Sequence, residues 1–267
     1  MTDWLSAWPA LAFACGLPAR PDGTPFVPSP SQQWKRAARS SAPPCKALFV
    51  LAVKEALRRR LIGARDLIID SAPLKAWRRT DPDARQGHAP AHHPTAFLRG
   101  YRVHPLLPQG SGLPVFFRVA PANGHDAPFA QPLLASAVVL YGLRPRVIRL
   151  DAAYGGHALI AWIQTTLGAT AVILFNPKNR KNRSCFPPTW TRAELGKRSA
   201  IERFFGRVFL FFRLQRPPLT GWSAVTVQVA LTYTAVIVVA LLAQEAGRPD
   251  LIRSPARVLA HTWEGFL

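Results

Sequence analysis

An alternation of short apolar runs with longer amphipathic segments is the feature that most constrains the fold of this chain. Runs typical of strands lie at about 67–70, 100–104, 115–119, 147–151 and 171–175, and segments typical of helices lie at about 130–142, 157–167 and 192–212. Gly-Ser-Gly at 110–112 predicts a hairpin between the second and third strands. Hairpin strands followed by alternating strands and helices predict an α/β fold, a mixed sheet with helices on its faces.

The charge balance restricts the partners of such a fold. The 267 residues include 34 Lys and Arg against 14 Asp and Glu, a formal net charge of +20. Because 49% of the residues are hydrophobic, the chain can build a core, which excludes a disordered basic tail. A folded protein this basic typically binds a polyanion, either nucleic acid or an anionic membrane surface. Three distant cysteines without a CxxC pair argue against a disulfide scaffold and indicate a reducing, cytoplasmic setting.

Composition predicts three regions along the chain. Residues 1–65 form a basic arm, rich in Pro, Ala, Ser and Trp, that ends in a short amphipathic helix at 47–62. Residues 66–245 contain the strands and helices of the main domain. Residues 246–267 form a C-terminal tail.

One apolar segment has two interpretations. Val225–Ala243 has 19 residues without a charge, which is long enough for a transmembrane helix. Its threonines, Gln228 and Tyr233 dilute the apolar run, and the sequence has no second span. A buried helix of a globular domain is therefore favoured, and a membrane anchor is the less favoured alternative.

Carboxylates are scarce, so their positions are informative. Asp70 and Asp151 each end a predicted strand, at the edge where open α/β sheets bind ligands. Glu194 and Glu202 lie on a predicted helix that is rich in arginine. A strand-end aspartate is often only a cap, and a helical glutamate often only pairs with an arginine such as Arg198. Acids within a strongly basic chain nevertheless favour a Mg²⁺-type site that acts on phosphodiesters.

Five segments complete a pattern known from one family. They are Ile68–Ala76, Gly100–Leu107, Gly112–Leu134, Arg149–Gly156 and Lys197–Val208, in that order. Together they resemble the catalytic core of the DDE transposases encoded by bacterial insertion sequences, over roughly residues 66–243. The resemblance implies a ribonuclease H-like fold, and a transposase that performs metal-dependent DNA strand cleavage and strand transfer.

The resemblance also implies roles for individual residues. Asp70, Asp151 and Glu202 match the three catalytic acids, which hold two Mg²⁺ or Mn²⁺ ions, so their carboxylates are expected to converge. Arg198 matches the family's arginine, four residues before the glutamate. The implied partner is double-stranded DNA, with a homodimer expected for joining two element ends. The implied location is the cytoplasm, at the nucleoid through DNA, and not the membrane.

Two basic segments are predicted to bind DNA. One is a loop and the other a helix, and their residues are Lys178, Arg180, Lys181, Arg183, Lys197, Arg198, Arg203 and Arg207. An NxHD turn at 123–126 matches the family and is interpreted as structural or close to DNA. Trp190 and Trp222 could stack on bases, although burial is the usual role of an aromatic. The histidines of the Pro-rich loop at 78–95 are interpreted as solvated rather than as zinc ligands.

The chain departs from the family pattern at three places. Leu195 stands where the family has a tyrosine, Phe209 stands where it has a lysine, and residues 1–65 are short beside the expected DNA-binding region. Four phenylalanines of the predicted late helix have helical spacing and are predicted to pack in the core and so to orient Glu202: Phe204, Phe205, Phe209 and Phe212. Three functions remain open: an active transposase, a catalytically inactive remnant that only binds DNA, and, less favoured, a small basic membrane protein.

Overall fold

The computed structural model describes residues 18–27, 29, 31–32, 35, 39, 41–89, 95–173, 194 and 196–258. The chain divides into two units, Met1–Ser41 and Ala42–Leu267. In the first unit, Ala19 and Pro25 form an isolated antiparallel bridge around a turn, in which Asp22 Oδ1 accepts a hydrogen bond from the backbone N–H of Thr24 at 2.9 Å. The predicted domain limits at 65 and 245 stay a prediction.

The second unit contains the sheet and the helices, numbered here in chain order over the described residues. The strands are β1 Asp66–Ile69, β2 Ala72–Lys75, β3 Arg85–His88, β4 Phe97–Pro108, β5 Phe116–Pro121, β6 Val147–Leu150 and β7 Thr170–Ile173. The α-helices are α1 Ala42–Arg58, α2 Ala127–Tyr141, α3 His157–Leu167, α4 Ser199–Leu210 and α5 Trp222–Glu245. Short 3-10 turns span Ala152–Tyr154 and Pro249–Leu251.

All seven strands form one mixed sheet. The long strand β4 pairs antiparallel with β1, β2, β3 and β5, whereas β1, β6 and β7 run parallel. The pairs Ile69–Leu106 and Ala72–Val103 keep one register, so β1 and β2 continue each other along β4. The ladder is interrupted between them, opposite Pro105, which has no N–H to donate. The sheet order is therefore β5-β4-β1-β6-β7. Strand β2 follows β1 along the same side of β4, and β3 pairs with the first residues of β4.

Helices cover both faces of this sheet, as predicted. Phe129 of α2 stacks on His104 of β4 with ring centroids 4.8 Å apart. Phe117 of β5 lies opposite Pro105, and its ring is 5.3 Å from that of Tyr233 in α5. Because side chains of neighbouring strand residues point to opposite faces, α2 and α5 pack on opposite sides. The prediction of a mixed α/β sheet is confirmed.

Helix α5 contains the apolar segment with two interpretations. By length and composition it is the one helix in the described part of the chain that could cross a membrane, and 67% of its most apolar window is buried. Val229, Tyr233 and Ile237 are fully buried in the main core, together with Phe49 and Val53 of α1. The packing of α5 between α1 and the sheet is that of a core helix.

Several predicted boundaries differ from those observed. The loop predicted at 78–95 contains β3, whose sequence Arg-Gln-Gly-His carries little strand signal and is held by its pairing with β4. The first hairpin strand is longer than predicted and extends to Pro108. The predicted late helix is interrupted by a turn at Lys197 and Arg198, after which α4 begins at Ser199. Helix α3 has the predicted bounds and is capped by Gly168, in a left-handed conformation that favours glycine.

Candidate active site

Asp70 and Asp151 lie side by side at the carboxyl edge of the parallel strands. In the pairing of β1 with β6, Ile69 lies beside Leu150. Asp70 and Asp151 directly follow these two residues, just after the ends of the strands. The backbone N–H of Ser71 donates to Asp70 Oδ1 at 2.7 Å, and that of Ala152 donates to Asp151 Oδ1 at 2.7 Å. Each carboxylate is thus oriented by the backbone that follows it, as a cap would be.

A single guanidinium contacts both aspartates. Arg198 Nη2 lies 3.1 Å from Asp70 Oδ2, and Arg198 Nη1 lies 3.2 Å from Asp151 Oδ1. The Arg198 side chain is 16% exposed, and its buried Nε atom has no hydrogen-bond partner. Two carboxylates on adjacent strands therefore converge on one cationic centre.

Burial changes the proton affinity of Asp70. Desolvation raises the pKa of its carboxyl from 3.8 to about 6, and the negative charge of Asp151 adds to this effect. The charge of Arg198 and the N–H of Ser71 act in the opposite direction and lower the pKa. A second positive charge beside Asp70 would favour its ionised form further.

Asp70→Asn is expected to raise the free energy of unfolding of the metal-free protein by about 1–3 kcal/mol at pH 7. The pKa of the folded state is raised, so the stability that Asp70 contributes is present below about pH 4 and is lost as the pH rises through about 6. Urea unfolding of both proteins at about pH 4 and about pH 7 measures the difference. An equal gain at the two pH values would contradict the assignment.

Glu202 does not join the two aspartates. It lies in the first turn of α4, is exposed, and makes no ion pair among the described residues. Within those residues, no group of three or more His, Cys, Asp or Glu side chains is arranged to hold a metal ion. The expected convergence of three carboxylates is therefore not met in this arrangement, in which the space between Asp70 and Asp151 is taken by the guanidinium of Arg198.

The predicted core packing of α4 is observed, and it sets the direction of Glu202. Phe204 is fully buried with Ile201 and Val208, and Phe205, Phe209 and Phe212 are partly buried against the same core, whereas Phe211 is 44% exposed. Because successive helical residues point about 100° apart, a buried Ile201 turns the next side chain out of the core. The sequence predicted the packed face of α4, but not that Glu202 is exposed and forms no three-carboxylate group with the aspartates among the described residues.

The predicted DNA-binding cations of the helix make contacts within the protein. Lys197 pairs with Glu194, Arg203 Nη1 donates to Ser199 Oγ at 2.7 Å, and Arg207 Nη2 donates to the carbonyl of Gly112 at 2.8 Å. Burial lowers the pKa of Arg207 to about 10, with further lowering from Arg253 and Arg203. Lys178, Arg180, Lys181 and Arg183 lie outside the described residues, as do Trp190, His92, His93 and Leu195.

Arg149 is a buried charge that sequence reasoning missed. It lies in β6, is 1% exposed, and its Nη2 atom donates to Glu194 Oε2 at 2.6 Å. Asp66 Oδ1 is 3.7 Å from its Nη1 atom. The signal in the sequence was an arginine within the apolar run Val-Ile-Arg-Leu. Glu194 therefore has a buried structural partner, and Glu202 has no such partner among the residues that the structure describes.

Glu194→Ala is expected to lower the free energy of unfolding by about 1–3 kcal/mol, because it leaves the buried Arg149 without its closest partner. The double variant Arg149→Met/Glu194→Ala is expected to recover most of that loss, since the buried guanidinium that lacked its partner is then absent. Chemical denaturation of the wild type and both variants gives the comparison. If the double variant is no more stable than Glu194→Ala, the Arg149 contact is not the cause of the loss.

A polar network next to the aspartates contains contacts that the sequence did not predict. Arg102 Nη1 donates to Ser71 Oγ at 2.9 Å, and Ser71 Oγ donates to Asp126 Oδ2 at 3.0 Å. His104 Nδ1, on β4, lies 3.0 Å from the hydroxyl of Tyr154, on the 3-10 turn after Asp151. Burial and the charge of Arg102 lower the pKa of His104 to about 3, so its ring is neutral near pH 7. The network ties the NxHD turn to the residues that follow Asp70 and Asp151.

The fold and these strand ends define the class of protein. A mixed sheet in the order β5-β4-β1-β6-β7, with an aspartate at the end of each of two adjacent parallel strands, is the ribonuclease H-like arrangement. The family model of the transposase DDE domain matches residues 62–238, which is more than half of the chain. This chain belongs to the transposase DDE domain family. No curated protein matches it.

Proposed function

We propose that this chain cleaves DNA strands at the ends of an insertion sequence and transfers them to target DNA. The observation that supports this most is the convergence of Asp70 and Asp151 on one cationic centre, at 3.1 and 3.2 Å from Arg198. Membership of the transposase DDE domain family supplies DNA as the substrate class. The net charge of +20 suits that substrate. A homodimer that holds two element ends, at the nucleoid of the cytoplasm, is part of the same proposal.

The donor set fits a divalent cation. Carboxylate oxygens are the ligands that Mg²⁺ prefers, together with substrate phosphates, and a cation in place of the Arg198 guanidinium would contact both aspartates. Asp70, Asp151 and Glu202 are the proposed ligands of Mg²⁺ or Mn²⁺, with two ions expected. When bound, such ions stabilise the attacking and leaving oxygens of phosphodiester displacement.

The protein's own groups prepare this site in three ways. Backbone N–H groups of Ser71 and Ala152 orient the two aspartates. Arg198 balances their negative charges, which lets two carboxylates share one partly buried edge. The basic residues of α4 and of the loop at 178–183 are proposed to hold DNA phosphates beside the acids.

A catalytically inactive, DNA-binding remnant is the second candidate. Two observations favour it: Glu202 is exposed and apart from the aspartates, and Phe209 stands where the family has a lysine. Nicking of supercoiled plasmid by the purified protein separates the two functions. We expect nicking with Mg²⁺ or Mn²⁺, and none with EDTA or in the Asp151→Ala variant. Tight DNA binding without nicking under any metal condition would select the remnant.

A further inference from the structure

A cavity beside the free edge of the sheet joins aromatic rings to two positive charges. It has a volume of about 430 Å³ and lies between α1, β5 and the start of α5. Phe49, Phe116, Phe129 and Trp222 contribute rings to its lining, and Lys46 and Arg118 contribute the charges. Such a combination of flat apolar faces and cations is what single-stranded nucleic acid requires of a protein surface.

Trp222 is held in a fixed position although it is 41% exposed. Its indole Nε1–H donates to the carbonyl of Val119 at 2.9 Å, and its backbone N–H donates to Asp83 Oδ2 at 2.8 Å. The Nζ atom of Lys46 lies 5.6 Å from the centre of the ring. The ring is thus rigid and open to solvent, and stacking on it costs little ordering.

Lys46 and Arg118 have no acidic partner within the described part of the chain. Both are exposed, and neither makes an ion pair among the residues that the structure describes. Burial by the cavity wall and the charge of Arg118 both lower the pKa of Lys46, so the two cations repel each other. Asp83, the acid beside Trp222, is engaged by the backbone. An anion between Lys46 and Arg118 would remove this repulsion.

The cavity lies close to the proposed active site. In the β4–β5 ladder, Arg118 is the backbone partner of His104. On the other side of β4, the shared register of β1 and β2 places Ser71 opposite the same His104. Two strand spacings therefore separate the backbones of Arg118 and Ser71, about 10 Å. Phe129 lines the cavity and also stacks on His104. A DNA strand that leaves the aspartates can reach the cavity within a few nucleotides.

A peptide could not pair as an added strand along the whole outer edge of β5, because one of its backbone groups is already hydrogen-bonded. An added strand would need the outward backbone groups of β5, but the carbonyl of Val119 already accepts the indole N–H of Trp222. The unpaired positive charges also favour a polyanion over an apolar peptide.

We propose that this cavity binds a single strand of DNA, with a base stacked on Trp222 and a phosphate between Lys46 and Arg118. The proposal rests on the proposed function for its DNA substrate. It adds a binding surface on α1, β5 and α5 to the basic residues already proposed to hold DNA.

The test is the affinity of the full chain for a fluorescent oligothymidine of about 12 nucleotides, in EDTA, at several salt concentrations. Lys46→Gln/Arg118→Gln is expected to lower affinity at least about tenfold and to reduce the salt slope by about 1.4, the value for two single-strand phosphate contacts. The control Arg144→Gln/Arg146→Gln removes the same charge from exposed positions before β6. It is expected to keep the salt slope of the wild type.

Variants of Trp222 separate stacking from packing. Trp222→Leu is expected to weaken binding about 5-fold to 100-fold without changing the salt slope, and Trp222→Phe is expected to restore most of the affinity. Both variants lose the hydrogen bond to Val119, so a merely structural role would affect both alike. Unchanged affinity in Lys46→Gln/Arg118→Gln, or equal losses in the two Trp222 variants, would overturn the proposal.

The outcomes for the cavity and for the proposed function can be told apart. Binding in EDTA does not depend on cleavage, so the affinities of the cavity variants are compared with that of the wild type alone, and nicking is measured separately. If Asp151→Ala abolishes nicking while the cavity variants bind normally, the cavity proposal alone is wrong. If the cavity variants lose affinity and no protein nicks DNA, the cavity stands and the proposed strand cleavage is wrong.

Discussion

Asp151→Ala is expected to reduce metal-dependent nicking of supercoiled plasmid at least about 10³-fold. A bound divalent cation stabilises the transition-state charge by several kcal/mol, and every 1.4 kcal/mol is a factor of ten in rate. Removing one of two carboxylates that converge on one centre removes that stabilisation. Asp70→Ala is expected to have an effect of the same size, because the two aspartates contact the same guanidinium at 3.1 and 3.2 Å.

DNA affinity is the measurement that separates lost chemistry from lost folding. The aspartate variants remove negative charge from a protein of net charge +20, so they are expected to bind plasmid at least as tightly as the wild type. Glu245→Ala is a matched control, since this exposed carboxylate pairs with Arg59 of the segment after α1 and, among the described residues, with neither aspartate's guanidinium partner. It is expected to keep full nicking activity. Wild-type nicking by Asp151→Ala would contradict the proposed site.

The third acid is tested in the same assay. Glu202→Ala is expected to abolish nicking, whereas Glu194→Ala is expected to nick DNA at temperatures at which it stays folded. The basis for the difference is that Glu194 pairs with the buried Arg149, while Glu202 makes no ion pair among the described residues. Loss of activity in a folded Glu194→Ala protein, with activity retained in Glu202→Ala, would reverse the assignment.

Gly100→Ala is expected to destabilise the protein by at least about 3 kcal/mol, the largest effect on stability that we expect from one methyl group. A Cβ atom at this position of β4 would lie 2.0 Å from the carbonyl oxygen of Leu74 and 2.9 Å from the backbone N of Ala76. Both neighbours are backbone atoms of the paired strand or its end, so they cannot turn away as a side chain does. The strands must separate, and their ladder hydrogen bonds are lost.

Gly206→Ala is the matched control for that substitution. Gly206 lies within α4, and a Cβ atom there meets no atom within 4 Å apart from the backbone of its own helix and its chain neighbours. Alanine is a better helix former than glycine by about 1 kcal/mol, so this variant is expected to be as stable as the wild type or more so. Thermal or urea unfolding of the two variants gives the comparison. Equal stability of Gly100→Ala and the wild type would mean that β2 and β4 are not paired as described.

The order of elements and the edge position of two acids followed from the sequence alone. Apolar runs of four or five residues ended by Asp70 and Asp151 predict strands, and parallel neighbours end at the same edge of a sheet. The helix at 157–167 was predicted with its observed bounds because a glycine stands on either side of its apolar periodicity. These features depend on residues near one another in the chain.

Only the tertiary structure decided which side chains meet across long separations in sequence. Arg198 reaches Asp70 across 128 positions, and Arg149 reaches Glu194 across 45. The exposure of Trp222, for which burial was the expected role, depends on how α5 begins against β5. The strand β3 forms because β4 supplies its partners, whereas its own residues favour a loop. Local sequence determines periodicity and caps, but the rotation of α4 and the side-chain distances at the sheet edge depend on packing between elements, so no short segment encodes them.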